Sequence, residues 1–322
     1  MDTAVESRQL RKVFSGSKRR ARTIAVDGID LEVPKGEVFG LLGPNGAGKT
    51  TTVRMLNCLI RPTRGEAWIG GKSILSQARE VRAICGVLTE TPGLYARLNA
   101  AEYLSFFGRL YGINSDQLKK RVSEVLHMLG IESEAGKDKR LGTFSRGMKQ
   151  KMNIARAVLH EPAVLFLDEP TASLDPESAK VVRDYILMLK GQKKSTVILC
   201  THNLDEADRL CDRIGVIHRG KLLRVGKPEE LKKHLSQHHT YRIRLSGSID
   251  NYVAIVQGVS GVDTVKLDED RREIMFRTSD PETVNPLIIQ ALVRGNAKLL
   301  TISEDSLSLE EVYLALMKEQ EA

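Results

Sequence analysis

Long hydrophobic runs are missing from this chain: no stretch approaches the roughly 18 to 20 apolar residues that a membrane-spanning helix requires. The opening Met1-Asp2-Thr3-Ala4-Val5-Glu6 carries neither the cationic nor the apolar part of a secretory leader, so a cytoplasmic, soluble chain is expected. Cysteine is scarce as well. Cys58, Cys85, Cys200 and Cys211 form no C-x-x-C pair, which indicates neither a zinc site nor a disulfide framework, and they read as small buried hydrophobes. Aromatic residues make up only 5% of the chain. None interleaves the basic run Lys18-Arg19-Arg20-Ala21-Arg22, which argues against a stacking platform for nucleic acid. The run reads as the solvated tip of a hairpin between strands near residues 10–14 and 23–33, with anionic lipid head groups as its functional alternative. His234, His238 and His239 cluster with no thiol or carboxylate beside them in the sequence, which favours a solvated linker over a metal site.

What the chain does have is size and an uneven charge. Its 322 residues exceed the roughly 250 to 300 at which a single core stops growing, so two domains are expected. Residues 1–240 hold 40 Lys+Arg against 27 Asp+Glu, while residues 241–322 hold 9 against 14; the net +13 and −5 recover the +8 of the whole chain. That asymmetry points to two separately composed units, 1–235 and 236–322.

The segment Gly43-Pro44-Asn45-Gly46-Ala47-Gly48-Lys49-Thr50 spells G-x-x-x-x-G-K-[ST], a loop that cradles the phosphates of a nucleoside triphosphate. The chemistry requires a backbone curled tightly enough for successive N–H groups to converge on phosphate oxygens, which glycine permits. Lys49 brings a positive charge to the β and γ phosphates, and Thr50 offers a hydroxyl to Mg²⁺. The context agrees. Residues 38–42 read as a short buried strand, and residues 50–59 as a helix whose positive end faces the phosphates.

A second element lies downstream. Residues 163–167 are continuously apolar, suited to a strand buried on both faces of a parallel sheet, and they end in Asp168-Glu169-Pro170. Ligands of open α/β sheets sit at the carboxyl ends of strands, which places Asp168 beside Mg²⁺ and leaves Glu169 to orient or deprotonate a water.

These residues resemble the ATP-binding cassette (ABC) ATPases over roughly residues 5–230. Phe144-Ser145-Arg146-Gly147-Met148-Lys149-Gln150 is similar to the family's signature motif, with a helix expected over 149–159. Ser173-Leu174-Asp175 is similar to its D-loop, and Thr201-His202, after an apolar strand at 196–200, to its switch histidine. The resemblance implies an α/β fold, a mixed sheet with a helical lobe at about 92–160, and a head-to-tail pair of cassettes, either homodimer or heterodimer. ATP then lies between the phosphate loop of one copy (Gly43 to Thr51) and Ser145, Gly147 and Asp175 of the other. It also implies Mg²⁺ held through Thr50 and Asp168, Glu169 polarising the water, and His202 bonding the γ-phosphate. Phe14 best matches the residue that stacks on adenine, with a core phenylalanine as the alternative. The sequence departs from the family pattern at Arg146 and Met148, which replace a glycine and a glutamine. Glu90 stands where a Mg²⁺-sensing glutamine is usual.

Leu104, Phe107, Leu110 and Tyr111, then Leu118, Val122, Val125 and Leu129, recur at helical spacing and describe two amphipathic helices. In transporting members of the family this lobe receives a membrane subunit, and Pro92-Gly93-Leu94-Tyr95 resembles the export-type stretch there; exposed edges of Tyr95 and Tyr103 are the expected contacts. The remainder reads as βαββαβ, compatible with a small α+β ferredoxin-like unit suited to dimerisation or regulation. Two functions compete. One is the ATPase subunit of an exporter, peripheral on the inner face of the membrane through a separate integral permease. The other is a soluble ABC ATPase acting on ribosomes or nucleic acid, disfavoured because neither a second cassette nor a long coiled-coil insertion is visible.

Overall fold

A computed structural model describes residues 2–15, 22–89, 93–132, 139–172, 174–192, 195–235, 239–247, 249–268, 273–304 and 309–319. Glu90, Pro92, Ser173, His238 and most of the basic run fall outside them. The chain divides into Met1–Pro228 and Glu229–Ala322. The division falls seven residues ahead of the expected boundary at 235, before most of the helix Pro228–Leu235.

The first unit opens with β1 (Thr3–Phe14), β2 (Thr23–Pro34), β3 (Val38–Leu42), α1 (Lys49–Leu56), β4 (Arg64–Ile69), β5 (Lys72–Ser73), α2 (Ala78–Ile84) and β6 (Cys85–Leu88). It continues with α3 (Ala100–Leu110), α4 (Ser115–Met128), α5 (Arg146–Val158), β7 (Val164–Asp168), α6 (Pro176–Gln192), β8 (Thr196–Thr201), α7 (Leu204–Leu210), β9 (Arg213–His218) and β10 (Lys221–Gly226). An antiparallel sheet, β2-β1-β4-β5, stands beside a mixed one ordered β10-β9-β3-β8-β7-β6. In the mixed sheet β9, β3, β8, β7 and β6 run parallel and β10 is an antiparallel edge. Every residue of β3, β7 and β8 is buried, the reason these segments read as unbroken apolar runs rather than alternating ones. Because β3, β8 and β7 are neighbours and parallel, the loops leaving their carboxyl ends emerge side by side. That adjacency assembles the site.

The helical lobe begins at α3, whose N-terminus is closed by a capping box between Asn99 and Glu102. The buried stripe of α3 differs from the expected one. Tyr103 and Leu104 are fully buried, whereas Leu110 is 68% and Tyr111 40% exposed. Gly108 permits close helix approach, since a Cβ there would fall 2.2 Å from Leu118 Cδ1 of α4. Tyr103 therefore presents no exposed edge: its ring packs edge-on to Phe107 and its hydroxyl accepts from Arg156 at 3.2 Å. Tyr95 does reach solvent, at 52% exposure. On α4, Leu118, Val122 and Val125 are buried as their spacing predicts.

The second unit comprises α8 (Pro228–Leu235), β11 (His239–Leu245), α9 (Asp250–Gln257), β12 (Thr264–Asp268), β13 (Glu273–Thr278), α10 (Pro281–Arg294), β14 (Leu299–Glu304) and α11 (Leu309–Glu319). Its sheet runs β12-β13-β11-β14 with every pairing antiparallel. Ile243, Leu245, Ile274 and Phe276 pack from the sheet against Val256, Val284, Ile288 and Leu292 of the two helices, giving the unit its own core. His239, expected in a linker free of carboxylates, lies in β11 with Nδ1 2.6 Å from Glu304 Oε1 on the adjacent strand. The sequence placed these residues 65 positions apart, so the pairing becomes visible only with the strand order.

Candidate nucleotide site

The phosphate loop follows β3 and turns back on itself. Ala47 N–H donates to the Pro44 carbonyl at 3.1 Å, and Thr52 N–H to the Gly48 carbonyl at 2.9 Å as α1 begins. Gly48 sits at φ 113°, a left-handed conformation that glycine adopts without penalty, and a Cβ there would meet the Ala25 carbonyl oxygen at 2.5 Å. Gly43 is as constrained from outside: its Cβ would lie 2.3 Å from the Ile217 carbonyl oxygen. Asn45 and Gly46 lie exposed at the loop's tip, whereas Ala47 is buried. Lys49 is buried, and its Nζ donates to the carbonyls of Gly43 and Pro44 across the mouth of the loop. An ammonium carries three donors, so one remains to meet an anion there. Gly43→Ala is expected to cost about 1–3 kcal/mol of overpacking, measurable as a lowered thermal unfolding midpoint. A midpoint equal to that of the parent protein would contradict the loop geometry.

Asp168 closes β7 and is 3% exposed. Glu169 follows with φ 50°, a left-handed setting that costs a non-glycine residue about 1–3 kcal/mol and persists only where neighbours impose it. The neighbours are visible. Its N–H donates to the Cys200 carbonyl at 2.9 Å, and its own carbonyl accepts from Ala172 N–H at 3.2 Å. The carboxylate meets His202 Nδ1 at 2.8 Å, uniting residues 33 apart in sequence. Phe14 ends β1 at 43% exposure, with Lys12 Nζ 5.3 Å from its ring centroid. Exposure at a strand end makes Phe14 an available ring face rather than a core residue.

Ser145, Gly147 and Asp175 gather in a second cluster. Ser145 is the N-cap of α5, its hydroxyl accepting from Met148 N–H at 3.2 Å. This helix therefore starts at Arg146, three residues ahead of the expected start, because the serine terminates the preceding loop. Gly147 packs against the start of α6, where a Cβ would come within 2.8 Å of Ser178 Oγ and 3.3 Å of Asp175 Oδ2. Asp175 accepts from Ser178 N–H at 2.9 Å, and that bond holds its carboxyl below the usual range. Met148, in place of the usual glutamine, is buried, while Gln150 Nε2 donates to the Pro170 carbonyl at 3.1 Å and so joins α5 to the loop after Glu169.

One residue escaped the sequence reading. Glu206 is 4% exposed, and burial pushes its carboxyl up while the hydroxyls of Thr171 and Thr201 act the other way. Asn203 and Glu206 have capping-box spacing, and Asn203 Oδ1 indeed accepts from Glu206 N–H at 3.1 Å. The glutamate side chain, however, turns away from the cap to the two threonines at 2.7 and 3.0 Å.

A model of the ABC transporter family matches residues 26–172, spanning the phosphate loop, the signature helix and Asp168-Glu169. The linearmycin resistance ATP-binding protein LnrL of Bacillus subtilis is 33% identical over 299 residues, covering 93% of this chain and 95% of that one. This chain belongs to the ABC transporter family. The daunorubicin/doxorubicin resistance ATP-binding protein DrrA of Streptomyces peucetius is 37% identical over 315 residues, or 97% of this chain and 92% of DrrA. A solved ATP-binding subunit of an ABC transporter superposes with a TM-score of 0.64 at 28% identity, covering 72% of this chain and 93% of its own. The protein is thus an ABC ATPase of the exporter type, with the family's fold of a mixed sheet and helices. The ribosome-acting alternative is not favoured by these relatives. No described helix is long and apolar enough to cross a membrane.

Proposed function

We propose that this ABC ATPase powers efflux by hydrolysing ATP at a seam between two cassettes, and that the Glu169–His202 contact at 2.8 Å is the observation that carries the reading. The phosphate loop, Gly43 through Thr51, wraps the phosphates. Lys49 balances their charge with the ammonium it already holds over the loop. Thr50 and Asp168 are hard oxygen donors of the kind magnesium takes. When bound, the ion neutralises charge developing on the phosphates. Glu169 accepts a hydrogen bond from the attacking water, and His202 holds the carboxylate in its orientation while facing the γ-phosphate. Glu90, standing in the sequence where a Mg²⁺-sensing glutamine is usual, is assigned a further carboxylate oxygen, and Phe14 offers its exposed face to adenine.

The opposing cassette, a second copy or a sibling, supplies Ser145, Gly147 and Asp175. The support is physical: Ser145 starts a 13-residue helix whose first turn holds no acidic side chain, and such an end attracts anions. An integral membrane permease provides the path and the choice of cargo, which places this subunit on the inner face of the membrane. Basic residues of 18–22 suit an anionic lipid surface there. The second unit is a ferredoxin-like layer on the support of its strand order, β12-β13-β11-β14. It carries no constellation of catalytic groups among its described residues, which fits dimerisation or regulation. Tagged protein extracted in mild detergent is expected to co-purify with a multi-span membrane protein that stimulates its ATP turnover; recovery with ribosomes instead would reverse the assignment.

A further inference from the structure

The catalytic pair sits on two chain segments that leave neighbouring strands. In the β7–β8 ladder Asp168 lies opposite Cys200, and the last backbone bond between the segments runs from Glu169 N–H to the Cys200 carbonyl at 2.9 Å. Beyond that bond the ladder gives no further restraint on how far Glu169 stands from His202. Glu206 bridges the gap. Its Oε1 accepts from the Thr171 hydroxyl at 2.7 Å, two residues after Glu169, and its Oε2 accepts from the Thr201 hydroxyl at 3.0 Å, directly before His202. Both ends are themselves anchored. Thr201 Oγ1 accepts from Asn203 N–H at 3.0 Å, and Glu206 N–H donates to Asn203 Oδ1 at 3.1 Å. On the other side Pro170, between Glu169 and Thr171, receives the Gln150 amide of the signature helix at 3.1 Å. Glu206 is 4% exposed and Thr201 fully buried, so the Thr201 bond is shielded from water, while the Thr171 bond is half-buried. The left-handed φ of 50° at Glu169 is a conformation that needs such external restraint.

We propose that Glu206 is a positioning residue for ATP hydrolysis: its carboxylate ties Thr171 to Thr201 and thereby sets the separation and orientation of Glu169 and His202. The inference rests on the roles given above to those two residues. The role assigned to Glu206 is indirect: it acts through the segments it joins. A second consequence is directional. Because Pro170 is bonded to Gln150, any shift of the signature helix is transmitted to Thr171 and met by the Glu206 clamp, so the catalytic carboxylate follows the helix only as far as the clamp allows.

The test uses the full chain and separates turnover from binding. Glu206→Ala is expected to lower steady-state ATP turnover about 10- to 100-fold, the scale of a misplacement near 1 Å, while ATP affinity at equilibrium stays within about twofold because the phosphate loop is untouched. Glu206→Gln keeps one acceptor oxygen and should fall between. Thr171→Val removes one arm at nearly constant volume, and it carries the test if Glu206→Ala does not fold. Placed in a Glu169→Gln background, Thr171→Val should cause no further loss, since the clamp has nothing left to position. Unchanged turnover in both Glu206→Gln and Thr171→Val would overturn the inference, as would a parallel fall in affinity and turnover, or full additivity with Glu169→Gln. If Glu169→Gln itself hydrolyses ATP normally, the reading of the site fails first. If that variant is inactive while the Glu206 and Thr171 variants are fully active, only the clamp falls.

Discussion

Glu169→Gln is expected to lower ATP turnover by roughly 10² to 10⁴ while leaving ATP binding intact, the usual worth of a positioned base. The geometry explains why the loss should be confined to the chemical step. Glu169 stands one residue beyond the buried end of β7, its side chain 14% exposed and directed to His202 at 2.8 Å. The amide is nearly the same size, so the packing survives and the loop keeps its shape. What disappears is the negative charge and the capacity to take a proton from water. Single-turnover hydrolysis alongside equilibrium binding of a fluorescent ATP analogue separates the two effects. Hydrolysis at the parent rate would remove Glu169 from its role, and a matching loss of affinity would show that the change had disturbed the loop instead.

Lys49→Ala acts at the opposite step. Lys49 is 6% exposed, with its ammonium held by the Gly43 and Pro44 carbonyls across the mouth of the loop. Its removal takes away the cation proposed to face the phosphates and leaves the Gly43 and Pro44 carbonyl oxygens without that donor. Hydrogen bonds to charged groups contribute about 1.5–3 kcal/mol, so affinity for ATP should weaken roughly 10- to 150-fold. Calorimetric titration checks this, and the unfolding midpoint of the apo protein serves as the control for folding. Unchanged affinity would contradict the assignment of residues 43–50 as the phosphate loop.

Set beside Glu206, these variants define three distinct failures: weakened binding, binding without chemistry, and binding with misaligned chemistry. A fourth class falls on Ser145 and Gly147. A side chain at Gly147 collides with Ser178 and Asp175 within the same chain. Its glycine is thus required by local packing as well as by the proposed contact across the seam, and loss of activity on Gly147 substitution would not discriminate between the two.

Much of the candidate site is legible in the sequence because its parts are local. A phosphate loop is eight consecutive residues whose spacing is dictated by the size of a phosphate chain, and β3 and β7 announce themselves as apolar runs because parallel strands are covered on both faces. The βαββαβ order of the second unit was legible for the same reason, as alternating periods of two and 3.6 residues. Helix starts were less so. The resemblance to the family places residues 146–148 in a motif ahead of a helix over 149–159, whereas the cap at Ser145 puts them inside α5. On α3 the expected stripe included Leu110 and Tyr111 and treated Tyr103 as an edge. Periodicity identifies a helix and a face but not which neighbours cover it: α4 approaches closely at Gly108, and Tyr103 is taken up on the side of α5, where its hydroxyl accepts from Arg156.

The sequence alone determined that the protein has two units of opposite charge, a triphosphate-gripping loop, an acidic pair at the end of a buried strand, and membership of the ABC ATPases. Each of these is written in neighbouring residues or in their order. Only the tertiary structure decided that Glu169 meets His202, that Glu206 reaches Thr171 and Thr201, that Gly147 packs on Asp175, and that His239 pairs with Glu304. Those contacts join residues between 5 and 65 positions apart, and they depend on which strands are neighbours and in what register. Strand order is settled by the burial of whole faces against one another, a property of the folded chain that no short stretch of residues contains.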